Sequence, residues 1–250
     1  MKKLMAANWK MYKTATEAMT MALELVERLA DLSEDREVLI FPPFTALAAT
    51  VEALAGHPDI TVGGQNFFPA KEGAFTGEIA PGMLLAAGCV YGLTGHSERR
   101  YIIGESDEFV GRKTAFGLEH GLNIVLCIGE KIKERESGQL EVVLTRQLVT
   151  SLANVPKDIS PEALVVAYEP VWAIGTGKVA GSEEILEAHA TIRRLLTGLF
   201  SDTGIDIRIL YGGSVNQDNC NEIIMLDNVD GVLVGGASLQ IENFSRIVLT

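Results

Sequence analysis

The sequence has few cysteines and a shortage of basic residues, and both limit what the protein can be. Its three cysteines, Cys89, Cys127 and Cys220, are far apart and odd in number, which fits neither a disulfide framework nor a zinc site. Asp and Glu outnumber Lys and Arg by 33 to 21, so the formal net charge is -12. Such an acidic chain is not expected to bind nucleic acid or an anionic membrane surface. A small anion remains possible, because salt screens distant charges beyond about 8 Å.

Long apolar runs and low-complexity linkers are also missing. No run approaches the roughly 18 apolar residues of a membrane-spanning helix. Only four apolar residues, Leu4–Ala7, separate the basic start from Asn8, so a secretory signal is not expected. Together with the unpaired cysteines, this predicts a cytoplasmic protein. With no linker and 47% hydrophobic residues, the sequence predicts one domain over residues 1–250.

Eight short apolar runs alternate with helical patterns. The runs are Lys3–Ala7, Val38–Phe41, Ile60–Gly63, Tyr91–Thr94, Ile124–Ile128, Leu164–Tyr168, Ile207–Tyr211 and Val232–Val234. Helix starts are indicated by a capping box at Thr14 and Glu17, by Ser106 and by Gly181, where a cap precedes acidic residues. Repeated strand–helix units of about 31 residues predict an α/β fold, a closed (β/α)₈ TIM barrel. A doubly wound open sheet is the competing fold.

Motifs that could carry chemistry follow five of the eight runs. They are Asn8-Trp9-Lys10, Gly95-His96-Ser97-Glu98, Glu169, Gly212-Gly213-Ser214 and Gly235-Gly236. A closed barrel brings the carboxyl ends of all its strands onto one rim, whereas an open sheet separates the first strand from the eighth. The placement of the motifs therefore favours the barrel and predicts a site at that rim.

Glu169 is the best candidate for a general base. It ends the sixth run, and Pro170 holds its backbone extended. Trp172 gives the following segment an apolar anchor, while Gly175 and Gly177 give it freedom, so the segment is a candidate lid. An apolar lid would desolvate the carboxylate and raise its pKa toward neutrality. The alternative is an ordinary surface glutamate.

His96 and Lys10 are the other candidate catalytic residues. A helix beginning at Ser97 would place its positive end beside the imidazole and disfavour the protonated form. A neutral imidazole can donate a hydrogen bond to a carbonyl oxygen. Lys10 could stabilise a phosphate or an oxyanion, form a surface ion pair, or form a Schiff base, which keeps an aldolase-type reaction open. The remaining histidines, expected to be structural, are His57, His120 and His189.

The two glycine pairs after the last two runs predict a phosphate site, because loop amides can approach an anion closely where no side chain intervenes. Either pair alone could be a tight turn. The segment 175–180 fits only a loose dinucleotide pattern, and Pro170 and Trp172 separate it from its strand. No Walker A loop and no metal-ligand spacing is found, so neither a cofactor nor a metal is predicted.

Taken together, the motifs resemble the triosephosphate isomerase family over essentially the whole sequence. They are Asn8-Trp9-Lys10, Gly95–Arg100, Tyr168–Lys178, Tyr211–Ser214 and Val234–Ala237. The resemblance implies interconversion of dihydroxyacetone phosphate and glyceraldehyde 3-phosphate through an enediolate, in glycolysis and gluconeogenesis, without cofactor or metal. A glutamate base, a neutral histidine and a gating loop are this family's standard description and are carried over here.

The resemblance also implies a role for individual residues. Glu169 would transfer the proton, His96 would polarise the substrate oxygens, and Lys10 with Asn8 would stabilise negative charge, supported by Glu98. Backbone amides of the glycine loops and the lid would hold the phosphate, and these residues are Gly175, Ser214, Gly235 and Gly236. Residues that would hold the closed lid are Tyr211 and Ser214, near Gly177 and Ala180. Cys127 would pack near Glu169.

The segment 65–78 is long and contains Phe67, Phe68 and Phe75, whose expected exposure suggests a partner surface. By the same resemblance it would insert into the neighbouring subunit of a homodimer, with Thr76 near the partner's Asn8 and Lys10. The alternative is a loop folded onto its own barrel. Tyr12, Ala80 and Leu85-Ala86 depart from the common family pattern, and none is expected to touch the chemistry. Two rival functions stay open, a Schiff-base aldolase and a non-catalytic sugar-phosphate binding protein.

Overall fold

Eight parallel strands close into a barrel in chain order. The computed structural model describes residues 1–174 and 179–250. The strands are β1 (Lys3–Asn8), β2 (Arg36–Phe41), β3 (Ile60–Gly64), β4 (Tyr91–Thr94), β5 (Asn123–Ile128), β6 (Leu164–Tyr168), β7 (Arg208–Tyr211) and β8 (Gly231–Val234). Because β1 pairs with both β2 and β8, the predicted closed barrel is confirmed and the open sheet is excluded.

Helices follow most strands and cover the outside of the barrel. The α-helices are α1 (Ala15–Arg28), α2 (Leu47–Ala53), α3 (Pro81–Ala86), α4 (Asp107–Glu119), α5 (Ile132–Glu136), α6 (Leu140–Leu152), α7 (Ser182–Phe200), α8 (Thr203–Asp206), α9 (Cys220–Ile224) and α10 (Ile241–Val248). A π-helix covers Arg99–Ile103, and short 3₁₀ turns include Val171–Ala173 and Gly236–Leu239. None of the helices in the described parts is long and apolar enough to cross a membrane.

The three predicted helix starts are confirmed. Before α1, the Thr14 amide donates to Glu17 at 2.7 Å and the Glu17 amide donates to the Thr14 hydroxyl at 3.4 Å. Ser106 caps α4 by accepting from the amide of Phe109, and α7 begins directly after Gly181. Each cap satisfies backbone donors that a helix cannot satisfy internally.

Side chains on alternate strand positions form two apolar layers, one inside the barrel and one beneath the helices. The inner layer consists of Leu4, Ala6, Leu39, Phe41, Tyr91, Leu93, Val125, Cys127, Val165, Ala167, Leu210 and Leu233. This filling explains why the strands are apolar on both faces. Since the interior is occupied, a ligand can be received only at an end of the barrel.

The expectation of exposed phenylalanines in segment 65–78 is wrong for Phe67, which is buried. A Cβ atom on Gly92 would lie 2.6 Å from the Phe67 ring, and one on Gly117 would lie 2.7 Å from it. The ring therefore fits only because both neighbours are glycines. Phe75 is exposed over 43% of its surface and packs on Phe68, with ring centroids 4.2 Å apart. The segment therefore has an anchored base and an exposed tip.

Candidate active site

A cavity of about 300 Å³ opens at the carboxyl ends of the strands. Its volume is at the small end of the range for ligand pockets. Sequence-predicted residues that line it are Asn8, Lys10, His96, Glu169, Ser214, Gly235 and Gly236. Tyr12, which was not expected to touch the chemistry, lines the cavity as well. Gly175 and Gly177 lie outside the described residues.

Glu169 leaves the end of β6 and is almost completely buried. Its Oε1 lies 3.0 Å from His96 Nε2, and its Oε2 accepts a hydrogen bond of 2.8 Å from the Ser97 amide. The Glu169 amide donates to the carbonyl of Ile128 at 2.7 Å, and Pro170 follows. The carboxylate therefore has a defined resting position against the loop that follows β4.

The predicted rise in the pKa of Glu169 is wrong for this resting position. Burial raises the pKa of the carboxyl, but His96 and the Ser97 amide outweigh burial and lower it. Hydrogen bonds from donors stabilise the charged form of a carboxylate. The pKa of Glu169 can rise toward neutrality only if the carboxylate moves away from His96 and the Ser97 amide. The residues next to Glu169 in the sequence do not reveal these two donors.

His96 shows the matching effect in the opposite direction. Burial lowers the pKa of its imidazole, but the carboxylates of Glu169 and Glu98 outweigh burial and raise it, which is opposite to the direction predicted from the helix start at Ser97. Its Nδ1 accepts a hydrogen bond of 3.3 Å from the Glu98 amide, which leaves Nε2 as the nitrogen that carries a proton toward Glu169. Withdrawal of the Glu169 carboxylate would remove the main cause of the raised pKa and favour the neutral imidazole.

Lys10 pairs with Glu98, with Nζ and Oε1 2.7 Å apart. Its backbone is in the left-handed region, with φ of 52°, a costly conformation for a residue other than glycine. The Asn8 side chain accepts from the Lys10 amide at 2.9 Å. Asn8 therefore supports the backbone that aims the ammonium group into the cavity.

Gln65 is a supporting residue that the sequence analysis missed. Its side-chain amide donates to the carbonyl of Lys10 and to the carbonyl of Phe41, both at 2.8 Å. The two bonds join the loop after β1 to the end of β2. The only signal in the sequence was the position of Gln65, two residues after the third apolar run.

Glycines form one wall of the cavity. A Cβ on Gly235 would lie 3.3 Å from Lys10 Cε, and one on Gly212 would lie 3.1 Å from Glu169 Cγ. A Cβ on Gly236 would meet nothing within 4 Å, so its backbone faces open space. Ser214, which follows Gly213 in the sequence, also lines the cavity. The backbone can therefore approach a bound anion closely here.

The candidate lid is anchored at both of its described ends. Glu130 is fully buried, and its Oε1 accepts from Tyr168 Oη at 3.0 Å and from Trp172 Nε1 at 2.7 Å. At the other end, Ala180 is buried and its backbone lies beside the hydroxyl of Tyr211. Glu130 is a second residue that the sequence analysis missed, because it follows β5 in a segment without a recognisable motif.

Three further predicted residues lie outside the cavity lining. Cys127 is buried in the barrel interior, where burial and the neighbouring Glu169 raise the pKa of its thiol, a state unsuited to nucleophilic attack. Thr76 and Phe75 are exposed at the tip of segment 65–78. Among the described residues, no group of three or more His, Cys, Asp or Glu side chains could hold a metal ion.

The comparisons with known proteins agree with the barrel fold. A family model described as triosephosphate isomerase matches residues 3–250. The chain belongs to the triosephosphate isomerase family. A protein named triosephosphate isomerase from Nitratidesulfovibrio vulgaris (strain DSM 19637 / Miyazaki F) is 64% identical over 250 residues, which is 100% of both chains.

Other proteins named triosephosphate isomerase are similar over nearly their full lengths. One from Oleidesulfovibrio alaskensis (strain ATCC BAA-1058 / DSM 17464 / G20) is 61% identical over 249 residues, 100% of each chain. One from Chloroflexus aurantiacus (strain ATCC 29366 / DSM 635 / J-10-fl) is 48% identical over 246 residues, 98% of this chain and 97% of the other. Membership of the triosephosphate isomerase family therefore covers every strand that contributes to the cavity.

Proposed function

We propose that this protein interconverts dihydroxyacetone phosphate and D-glyceraldehyde 3-phosphate through an enediolate, as an aldose–ketose isomerase of glycolysis and gluconeogenesis. The observation that carries the proposal is the meeting of Glu169, His96 and Lys10 around one small cavity with a glycine-lined wall. Family membership supports it. A carboxylate, an imidazole and a fixed cation suffice for proton transfer next to a carbonyl group.

Glu169 is the base in this mechanism. It removes a proton from the carbon beside the substrate carbonyl and returns it to the neighbouring carbon. To do so, the carboxylate must exchange its 2.8 Å bond to the Ser97 amide for a position over the substrate. Because that bond and His96 lower the pKa of Glu169, the exchange makes the carboxylate a stronger base.

His96 and Lys10 act on the oxygens of the substrate. His96 donates from Nε2, which faces Glu169 at 3.0 Å in the resting site, and so becomes available when the carboxylate moves. Lys10, with Asn8 beside it, stabilises the negative charge that develops on the enediolate. Loss of one such donor costs other enzymes about 2.7–4 kcal/mol of transition-state stabilisation.

The phosphate is assigned to the glycine side of the cavity, at the backbone of Ser214, Gly235 and Gly236. Gly175 is proposed to add an amide when the lid covers the site. A lid is required because an enediolate phosphate exposed to water can expel its phosphate group, and closure also strengthens the hydrogen bonds inside. The two ends of the closing segment would be held by two contacts. One joins Trp172 to Glu130, and the other joins Ala180 to Tyr211.

The decisive test is a coupled isomerase assay in metal-free buffer, comparing the wild type with Glu169→Gln. We expect the variant to lose at least about 10²–10⁴-fold in kcat, the usual contribution of a general base, with unchanged circular dichroism and Tm. Glu27→Gln, an exposed position on α1, is the matched control. Near-normal turnover by Glu169→Gln would refute the assignment, and an inactive wild type that still binds substrate would favour a binding protein.

An aldolase that uses Lys10 as a nucleophile is the second enzymatic candidate, but the geometry disfavours it. The Lys10 ammonium pairs with the Glu98 carboxylate at 2.7 Å, which suits a fixed charge better than an amine that must attack a carbonyl. Borohydride reduction in the presence of dihydroxyacetone phosphate separates the two reactions. A covalent adduct on Lys10, detected by mass spectrometry, would support the aldolase.

We further propose a cytoplasmic homodimer whose subunits are single domains spanning residues 1–250. Support for the dimer comes from Phe75 and Met83, which are 43% and 54% exposed and line one groove on segment 65–78 and α3. Such exposed apolar surface is typical of an interface. Support for the cytoplasm comes from the three buried, unpaired cysteines.

A further inference from the structure

Arg100 is a buried cation close to the candidate active site for which the mechanism gives no role. It is only 7% exposed and belongs to the π-helix Arg99–Ile103. Its Nε donates to the carbonyl of Gly95 at 2.7 Å, its Nη2 donates to the carbonyl of Cys127 at 3.1 Å, and its Nη1 lies 2.5 Å from Asp107 Oδ1. One guanidinium group thus holds two backbone carbonyls and one carboxylate.

The two carbonyls belong to the segments that carry the proton-transfer pair. Gly95 directly precedes His96 in the loop after β4. Cys127 directly precedes Ile128 in β5, and the Ile128 carbonyl accepts from the Glu169 amide at 2.7 Å. Arg100 therefore joins the backbone beside His96 to the strand end that supports the backbone of Glu169.

The backbone at Gly95 leaves room for the Arg100 guanidinium group. Gly95 has φ of 69°, and a Cβ there would lie 2.7 Å from Arg100 Nη2 and 2.7 Å from the Cys127 carbonyl oxygen. The π-helix also presents the next residue, Tyr101, whose hydroxyl donates to the Gly129 carbonyl at 3.2 Å. π-helical turns are uncommon and are often found at functional sites.

Arginine suits this position because its planar group donates in several fixed directions at once. Lysine would retain the charge and the pairing with Asp107, but its single ammonium group cannot reproduce the planar fork that bridges the Gly95 and Cys127 carbonyls. The requirement is therefore for geometry as well as for charge.

We propose that Arg100 is a positioning residue that holds the His96 loop against the end of β5 and so sets the contact between His96 and Glu169. This inference rests on the proposed isomerase function for its kinetic consequence. Its structural consequence, the loss of the His96–Glu169 contact when Arg100 is replaced, can be measured without turnover.

The test compares Arg100→Lys with Arg146→Ala. Arg146 pairs with the other oxygen of Asp107 at 3.0 Å and has a side chain that is 52% exposed, so its loss disturbs the same carboxylate without touching Gly95 or Cys127. We expect Arg100→Lys to lower kcat by about 10²-fold, the effect of a displacement of about 1 Å between reacting groups, with little change in KM. Arg146→Ala should retain wild-type values.

A histidine titration by NMR gives the readout that does not depend on activity, and only four histidines need assignment. In the wild type, Glu169 and Glu98 raise the pKa of His96 against burial and Lys10. If Arg100→Lys separates His96 from Glu169, the pKa of His96 must fall, because the Glu169 carboxylate is the group that raises this pKa most. Arg146→Ala should leave the titration unchanged.

A third variant, Arg100→Ala, tests whether the missing group is the guanidinium itself. Added guanidinium at concentrations below those that unfold the protein should restore turnover with saturation, whereas equal concentrations of sodium chloride or urea should not. If Arg100→Ala does not fold, Arg100→Lys decides the question. Wild-type turnover and an unshifted His96 titration in Arg100→Lys would overturn the inference, while an inactive wild type with a shifted titration would overturn only the proposed function.

Discussion

His189 is a buried imidazole whose two nitrogens have different surroundings. Nδ1 donates to the Asn228 carbonyl at 2.8 Å, while Nε2 is buried and has no hydrogen-bond partner among the described residues. The imidazole ring lies beside the rings of Tyr168 and Tyr211, with centroid distances of 5.9 and 6.4 Å. Burial lowers the pKa of His189 to about 4, although the Asn228 carbonyl and Asp230 act in the opposite direction.

This pKa predicts a loss of stability in mild acid. An unfolded histidine has a pKa near 6.5, so the unfolded chain binds a proton that the folded chain excludes as the pH falls from about 6.5 to about 4. We expect His189 to cost the folded state about 2 kcal/mol between pH 7 and pH 5. His189→Asn retains a donor for the Asn228 carbonyl but cannot be protonated in this range.

Urea unfolding of the wild type and of His189→Asn at pH 7 and pH 5 measures this loss of stability. The free energy of unfolding should fall by about 2 kcal/mol more in the wild type than in His189→Asn. Equal losses in the two proteins would mean that His189 does not exclude a proton in the folded state.

Single residues also show what sequence reasoning can and cannot supply. Glu169, His96 and Lys10 were found because each follows an apolar run, and strand ends converge in a barrel. The directions of the pKa shifts of Glu169 and His96 were predicted wrongly, because they depend on contacts of the Glu169 carboxylate with His96 and with Ser97, which is 72 positions away. Gln65 was missed for the same physical reason, since its partners lie in the loop after β1 and at the end of β2.

Among the elements, α4 and α6 pack unusually closely at one glycine. A Cβ on Gly111 of α4 would lie 2.7 Å from the Thr150 carbonyl oxygen and 3.2 Å from Ser151 Cα in α6. Backbone atoms cannot move aside as a side chain can. The close approach matters to the site because α4 also bears Asp107, the partner of Arg100.

Gly111→Ala should therefore push the two helices apart and destabilise the protein by about 1–3 kcal/mol, the usual cost of overpacking. Gly198→Ala is the matched control in α7, because a Cβ there would meet nothing within 4 Å. In that exposed helical position alanine should stabilise by about 0.5–1 kcal/mol. Thermal unfolding of both variants should show shifts of opposite sign, and a stabilised Gly111→Ala would contradict the packing argument.

The barrel could be predicted at the level of elements because strand and helix patterns alternate with clear caps. A helix beginning at Ser97 was expected, but its π-helical form over Arg99–Ile103 was not. These five residues follow no helical apolar period, and Arg100 is held by Cys127 of β5 and Asp107 of α4. Trp172 was predicted as an anchor of the lid, but its partner Glu130 was hidden, because Glu130 acts on Tyr168 and Trp172 from another loop.

For the whole molecule, the acidic charge and the proposed anionic substrate must be reconciled. The formal net charge is -12, yet Lys10 is the only lysine or arginine among the described residues that line the cavity. Charges beyond about 8 Å are largely screened at physiological salt. Local donors, namely the ammonium group and the glycine-loop backbone, therefore decide which ligand the cavity accepts.

The proposed dimer gives the last prediction. Phe75 packs on Phe68 of its own chain yet remains 43% exposed, and Thr76 beside it is proposed to support the partner's Asn8 and Lys10. Phe75→Asp would place a charge in an apolar contact, which is unfavourable without a paired partner. We expect this variant to sediment as a monomer and to lose most of its kcat, while circular dichroism shows a folded barrel.

Val142→Asp is the matched control, because Val142 is a comparably apolar residue that is 64% exposed on α6, outside segment 65–78. It should sediment and turn over like the wild type. Sedimentation velocity over a range of concentrations distinguishes the outcomes. A fully active wild-type monomer at low concentration would remove both the dimer and the role of Thr76, because a site completed by a partner cannot work at full rate without one.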